Sequence, residues 1–566
     1  MTLFLWRATR RSMRSLYVVA LLCIATAQAA DLAPGKAAIA SAHPLATQAG
    51  LDIIKQGGNA FDAAVAVTAA LAVVEPQSSG LGGGGFYLLH RAADKFETMV
   101  DARETAPAAA TRTMFLDANG NVVRGASTAS ALASGIPGEV AGMAHIAERY
   151  GRLPLSVSLQ PAIRLARDGF PLYERMRGSL EFSAGRLSRS KDASRNFLVD
   201  GKAPAVGKLI RQPQLANTLQ LVTREGAAGF YHGKFARQLA EGVRKLGGIW
   251  TEADLANYRV LERAPVKGVY RGAQITSAPP PSSGGVALLN ALNILSGYDL
   301  DALDSATRKH LIVEALRRAY RDRAEYLGDP DFVNVPVAML TSPLYAAGQR
   351  NSIRPDKATT SASLPSVNDS SNESPQTTHF SVLDAEGNRV AATITVNLGF
   401  GSGLMVDGTG FFLNNEMDDF SVKPGAANAF QLVGGDANAI APGKRMLSSM
   451  TPTFVETDRG VLILGTPGGS RIISMVLLGV LDWLGGNDAA HVAALPRFHH
   501  QYLPDQITFE RNALSSEERA ELEQRGHRLN ETRGSYGNME VITWDRSSGK
   551  VEAASDPRGE GTGWVY

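Results

Sequence analysis

Between Pro355 and Gln376 the chain passes through a stretch that cannot build a core, and at Thr377 it turns abruptly into a strand pattern. The stretch holds six serines, two threonines, two asparagines and three prolines, with no aromatic residue. Such a composition buries too little apolar surface to offset the entropy of ordering, so a mobile surface loop is expected. Beyond it, Thr378 to Leu383 and Arg389 to Val396 read as two strands around the turn Asp384-Ala385-Glu386-Gly387-Asn388. A threonine inside a chain is a poor nucleophile, because no base is dedicated to its hydroxyl. A threonine at a chain terminus carries its own base, an α-amine with a pKa of about 7.7–8.0. Cleavage of the Gln376-Thr377 bond would place nucleophile and base in one residue.

At 566 residues the chain exceeds the roughly 250–300 at which single cores stop growing, so one large composite domain or two domains are expected. Residues 1–29 read as a signal peptide: Arg7, Arg10, Arg11 and Arg14, an apolar run from Leu16 to Ile24, and the cleavage site Ala27-Gln28-Ala29. The run is too short for a comfortable membrane span, so export to the periplasm without a stable membrane anchor is expected. Thr9-Arg10-Arg11 loosely resembles a twin-arginine signal, although the general secretory route is simpler. Four of the 57 basic residues and none of the 55 acidic ones lie in this leader, leaving 53 basic against 55 acidic. The single cysteine, Cys23, lies there too, so neither disulfides nor thiol chemistry is expected after export. No basic stripe with interleaved aromatics points to nucleic acid.

Helical periodicity marks Asn59 to Val74, Gly138 to Tyr150, Pro161 to Arg167, Lys234 to Leu246, Ala306 to Tyr326 and Ser470 to Trp483. Strands fit Phe86 to Leu89, Gly410 to Leu413, Thr453 to Glu456 and Val461 to Leu464. Strand pairs with helices outside them imply an α+β fold in which helices cover two stacked sheets. On the strand from Arg389, Thr393, Thr395 and Asn397 share one face. In a hairpin with the strand opening at Thr377, Thr395 would donate to or orient the Thr377 hydroxyl. The plain alternative is that β-branched residues simply favour a strand.

Thr377-Thr378-His379-x-Ser381-Val382, then Gly387-Asn388-x-Val390-Ala391-x-Thr393-x-Thr395-Val396-Asn397 and Phe400-Gly401, resembles the signature of the γ-glutamyltransferases. Asn414 to Phe420, Leu447 to Pro452, Gly465 to Ser470, Pro496 to His499, Gly82 to Phe86 and Arg103-Glu104-x-Ala106-Pro107 resemble further family motifs in order. The resemblance implies the four-layer αββα sandwich of the N-terminal-nucleophile hydrolases. It also implies self-cleavage of one precursor at Gln376-Thr377 into a large subunit, 30–376, and a small catalytic subunit, 377–566, held as a heterodimer. The implied substrates are small γ-glutamyl compounds such as glutathione, with water, amino acids or dipeptides as acceptors and no cofactor.

The resemblance also assigns roles. Thr377 attacks the γ-carbonyl, Thr395 supports it, and the backbone N–H groups of Gly468 and Gly469 receive the oxyanion. Arg103, Ser448 and Ser449 bind the α-carboxylate, for which a guanidinium fork is suited. Asn397, Glu416 and Asp419 accept from the α-ammonium. Many bacterial relatives carry a lid tyrosine in the loop after Asp418-Asp419-Phe420; here that position is Phe430.

The glycine run at 82–85 lacks the Lys-Ser/Thr of a phosphate loop. His499-His500 lacks a third ligand at zinc spacing, so no metal is expected. His379 reads as structural support. Two rivals stand beside the main reading: a cephalosporin (glutaryl) acylase of the same fold, and a non-catalytic γ-glutamyl-peptide binding homologue. Glu416 and Asp419 argue against the first, and the intact Thr377, Thr395, Gly468 and Gly469 set against the second.

Overall fold

The computed structural model describes residues 33–364, 377–423 and 425–566. The leader and Gln376 lie outside the described residues, as does the rest of the polar stretch from residue 365.

Two antiparallel sheets stack face to face. Their strands in chain order are β1 (Ala38–Ser41), β2 (Gly84–Arg91), β3 (Phe96–Asp101), β4 (Leu261–Arg263), β5 (Val266–Tyr270), β6 (Ala273–Ser277), β7 (Thr378–Leu383), β8 (Arg389–Thr395), β9 (Thr453–Glu456), β10 (Gly460–Gly465), β11 (Glu540–Asp545), β12 (Val551–Ser555) and β13 (Thr562–Val565). The first sheet runs β13-β1-β7-β8-β2-β3-β4 and the second β12-β11-β10-β9-β6-β5. Strands from before and after Thr377 therefore share both sheets and interleave in the first.

Alternation along each strand of the first sheet builds the layers. Phe86 and Leu88 join the core shared with the second sheet. Tyr87 and Leu89 point the other way, into a core with α1 (Pro44–Lys55) and α2 (Ala60–Val74). Helix α2 is buried along its whole length, which its Ala/Val composition permits, and the Asn59–Asp62 capping box satisfies its first turn. On the far side, α3 (Gly284–Leu295), α4 (Ser305–Tyr326) and α5 (Ile472–Leu484) join the core of the second sheet. The order helix, sheet, sheet, helix is the αββα sandwich that the sequence implied.

The glycine run 82–85 is required by close packing. A Cβ on Gly83 would overlap the carbonyl oxygen of Thr395, and one on Gly82 that of Phe412. Only glycine lets β2 approach the end of β8 so closely.

Two expectations need correction. Gly410 to Leu413 is not a strand; it meets Met405 through a single bridge at Phe412. Gly410 takes φ +81°, which breaks an extended run, and Phe411 and Phe412 are spent on an aromatic cluster with Phe197, Phe230 and Phe400. In addition, the first part of the polar stretch is tied down. Ser361 is fully buried, its N–H donates to Asp505 Oδ2 at 2.7 Å, and its hydroxyl donates to Tyr502 O at 2.6 Å. Glu314 accepts from Thr359 N at 3.0 Å. Polar composition misled here because α4 supplies buried ionic partners that local sequence does not reveal.

Candidate active site

The β7–β8 register, with Ile394 opposite Thr378, carries Thr395 to Thr377 at the sheet end. Their hydroxyl oxygens lie 3.3 Å apart. Thr395 Oγ1 also accepts the backbone N–H of Asn397 at 2.7 Å, which anchors its hydroxyl beside Thr377 while leaving it its own proton to donate. Asn397 sits at φ +74°, a left-handed conformation that asparagine tolerates, and its amide nitrogen donates to Asn415 O at 2.8 Å. Behind this pair a polar column runs between the sheets. His379 contacts Thr393 Oγ1 at 2.8 Å, and Ser381 donates to Glu540 O at 3.1 Å. Burial pulls the His379 imidazole down to about 3, so it is neutral and braces the strands.

Gly468 and Gly469 stand between β10 and α5, at φ +146° and +56°. Among the described residues neither glycine's N–H meets an acceptor. Two open donors at the start of a helical segment form a positive concavity. Thr377 lines two spaces: a small cavity of about 20 Å³ on one side and a groove of about 850 Å³ on the other. Gly469 faces the cavity and Gly468 the groove.

The cavity gathers Arg103, Thr395, Asn397, Glu416, Asp419 and Phe430 around Thr377, along with Ser448 and Ser449. Arg103 is fully buried. Its Nη1 donates to Glu416, its Nη2 to Asp419 Oδ2 at 2.6 Å and its Nε to Met446 O at 3.3 Å. Carboxylate end and ammonium end, separate in the sequence reading, are thus joined by ion pairs. A guanidinium has five N–H donors, so two remain for a ligand. Burial raises the Glu416 carboxyl well above its ordinary value, raises Asp419, and pushes neighbouring Glu104 up to about 8.

The serine hydroxyls are aimed in the same way as Thr395. Ser448 Oγ accepts Met450 N at 3.0 Å, and Ser449 Oγ accepts Arg323 Nη2 at 3.3 Å, so each keeps its own proton to donate. Phe430 is buried over the cavity, against Gly469. Its loop is held by Gln501 Nε2 on Phe430 O at 3.2 Å, Ala429 N on Asp418 Oδ2 at 2.9 Å and Asn428 Nδ2 on Asp419 Oδ1 at 3.3 Å.

Sequence reasoning missed Arg323, a buried cavity residue on α4. Its surroundings, Arg321-Asp322-Arg323-Ala324-Glu325, have the charge density of a solvated helix face, and no local signal sets it apart. His499 and His500 are each engaged by protein partners, Ser474 and Gln501 for one, Tyr502 N and Asp505 for the other.

A family model described as Gamma-glutamyltranspeptidase matches residues 46–566. The glutathione hydrolase proenzyme of Escherichia coli (strain K12) is 45% identical over 527 residues, covering 92% of this chain and 90% of that protein. The solved cephalosporin acylase from Bacillus halodurans matches with a TM-score of 0.82 at 28% identity, over 94% of this chain and 95% of that one. The solved gamma-glutamyltranspeptidase of Helicobacter pylori matches with a TM-score of 0.56 at 42% identity, over 57% of this chain and 94% of that one.

Proposed function

The chain belongs to the gamma-glutamyltranspeptidase family, and on that premise we propose that Thr377 is the nucleophile of a glutathione hydrolase and γ-glutamyltransferase made as a self-cleaving precursor. The observation that carries this reading is the position of Thr377. It stands 3.3 Å from Thr395 and lies between a small pocket of ionic groups and a much larger groove.

In maturation, the Thr377 hydroxyl attacks the carbonyl before it, and the acyl group moves from nitrogen to oxygen. That shift frees the α-amine, and water then hydrolyses the ester to the Gln376 carboxylate and the Thr377 hydroxyl. In catalysis, that amine takes the hydroxyl proton as Oγ1 adds to the γ-carbonyl of the substrate. Thr395 donates to Oγ1 and restrains its orientation. Gly468 and Gly469 offer N–H groups to the tetrahedral oxyanion. The leaving amine departs with a proton into the groove, leaving a γ-glutamyl ester on Thr377. Water or an acceptor amine entering from the groove resolves it. Arg103, Ser448 and Ser449 hold the α-carboxylate, while Glu416, Asp419 and the Asn397 Oδ1 accept from the α-ammonium. The present cavity has room for about one water, so Phe430 and its loop must lift to admit a substrate.

Cleavage before Thr377 would give subunits 30–376 and 377–566. The interleaved first sheet supports a lasting heterodimer, because β7 and β8 lie between β1 and β2. Export to the periplasm follows from the leader; among the described residues no helix is long and apolar enough to cross a membrane.

Denaturing electrophoresis and anilide hydrolysis test the reading together. Wild type should run as two fragments and release p-nitroaniline from γ-glutamyl-p-nitroanilide, whereas Thr377→Ala should stay one chain and be inactive. A glutaryl acylase is the second reading, favoured by the likeness to the Bacillus halodurans enzyme. A preference for glutaryl over γ-glutamyl anilide would establish it instead.

A further inference from the structure

The ring of Phe430 lines the cavity and lies so close to Gly469 that a Cβ there would overlap it. That ring offers no hydrogen bond, so the loop is held by its other atoms. On one side it is tied to Asp418 through Ala429 N at 2.9 Å and to Asp419 through Asn428 Nδ2 at 3.3 Å. On the other, the Gln501 amide donates to Phe430 O at 3.2 Å. Among the described residues this is the one side-chain hydrogen bond to Phe430 from outside the loop, since Phe430 N donates to Asn428 Oδ1 within it.

Gln501 is not free to turn. Phe430 O can only accept, so the amide presents Nε2 to it and Oε1 to His499 Nε2, 2.8 Å away. Oε1 can only accept as well, so His499 carries its proton on Nε2. Burial pulls its imidazole down to about 3 and keeps it neutral, which leaves a lone pair on Nδ1. That lone pair meets the Ser474 hydroxyl at 2.7 Å. Ser474 stands in the first turn of α5, and its oxygen also lies 2.9 Å from Arg471 O. The Tyr320 ring, from α4, packs edge-on against His499 at 5.6 Å, while its hydroxyl donates to Ser470 O. His499, Gln501 and Ser474 are all buried, yet neither His499 nor Gln501 lines the cavity. Ser474, His499 and Gln501 thus tie the tip of the loop to the helix that follows Gly468 and Gly469.

We propose that Gln501 is the latch of the Phe430 loop and His499 the positioning residue that directs its amide, and that this pair governs how the γ-glutamyl ester is partitioned between water and an acceptor amine. The partition rests on the γ-glutamyl reading above. With the base of the loop tied to Asp418 and Asp419, release of Phe430 O frees the tip to lift. Each lift opens the cavity side of the ester to water, whereas an acceptor arrives by the groove with the loop up or down.

Hydrogen exchange and product partition in the matured enzyme test this. Gln501→Met keeps the length of the side chain and removes the amide. It should speed amide exchange in residues 428–432 by roughly three- to tenfold, the worth of one hydrogen bond, and leave α5 unchanged. The ratio of γ-glutamyl-p-nitroanilide hydrolysis to transfer onto glycylglycine should rise by a factor of a few. His499→Leu should do the same with Gln501 intact. His499→Gln, whose amide nitrogen can replace Nε2 as the donor, should return both readings most of the way to wild type. Unchanged exchange or an unchanged ratio in Gln501→Met would overturn the proposal. So would equal acceleration in 428–432 and α5 with hydrolysis and transfer falling together, which would make Gln501 a prop of the core. If Gln501→Met does not mature into two fragments, His499→Leu against His499→Gln decides. Failure of the γ-glutamyl reading looks different: wild type would not turn over γ-glutamyl anilide, while exchange, read without substrate, would still report on the latch.

Discussion

The backbone N–H of Asn397 donates to Thr395 Oγ1 at 2.7 Å, and this bond anchors the Thr395 hydroxyl beside Thr377. The anchored hydroxyl keeps its own proton, within hydrogen-bond reach of the nucleophile oxygen 3.3 Å away. Thr395→Val keeps the shape and deletes the donor. It should lower kcat for γ-glutamyl anilide hydrolysis by roughly tenfold, the worth of about 1.4 kcal/mol. Thr395→Ser should stay near wild type. Steady-state kinetics on the two variants checks the difference.

Arg103→Lys keeps a positive charge but loses the fork that holds Glu416 and Asp419 together. With charged hydrogen bonds worth ~1.5–3 kcal/mol, kcat/KM for γ-glutamyl anilide should fall by roughly ten- to a hundredfold. Loosening a buried ion pair should also lower the melting temperature. Conversion to two fragments should persist, because self-cleavage involves no substrate carboxylate. Calorimetry and electrophoresis of one preparation read both effects.

Phe430 covers the cavity with a ring that cannot hydrogen-bond. Phe430→Tyr adds a hydroxyl whose bond, once made, is worth ~0.5–1.5 kcal/mol, so the loop should open less often. Hydrolysis should drop relative to transfer to glycylglycine by a factor of a few. An unchanged ratio would mean that Gln501, Asp418 and Asp419 already hold the loop without help.

Stability should fall toward alkaline pH. Glu139 is buried and accepts the Tyr87 hydroxyl, and burial raises its carboxyl to about 8 from 4.5. The folded state therefore binds that proton more tightly than the unfolded chain. Its contribution is whole below the unfolded value of 4.5 and is lost as pH rises through about 8. Glu139→Gln should flatten the decline in melting temperature across that window without abolishing it, since Glu104, likewise at about 8, still titrates. Scanning calorimetry at several pH values measures the slope.

The hairpin was legible because period-two alternation puts Thr377, His379, Thr393 and Thr395 on one face whatever the rest of the fold does. Gly468 and Gly469 were legible only through the family resemblance, since a Gly-Gly pair before a helix is otherwise a plain turn. Arg323 was hidden because helix α4 buries an arginine-rich face that, by composition, belongs in water. The same concealment applies to Ser361, whose burial depends on Asp505 and Tyr502, far away in sequence. Gly410 to Leu413 misled in the opposite sense: its aromatic pair has strand propensity, but the rings are used in a cluster that a left-handed glycine makes accessible.

The central claim is that Thr377 carries the acyl group. Rapid acid quenching of the matured enzyme with γ-glutamyl-p-nitroanilide, followed by intact-mass and peptide mass spectrometry of the small fragment, measures this directly. The account predicts a transient mass increase of one γ-glutamyl group, located on the first residue of that fragment, Thr377. An adduct on any other residue, or steady hydrolysis with no adduct at any quench time, would contradict it.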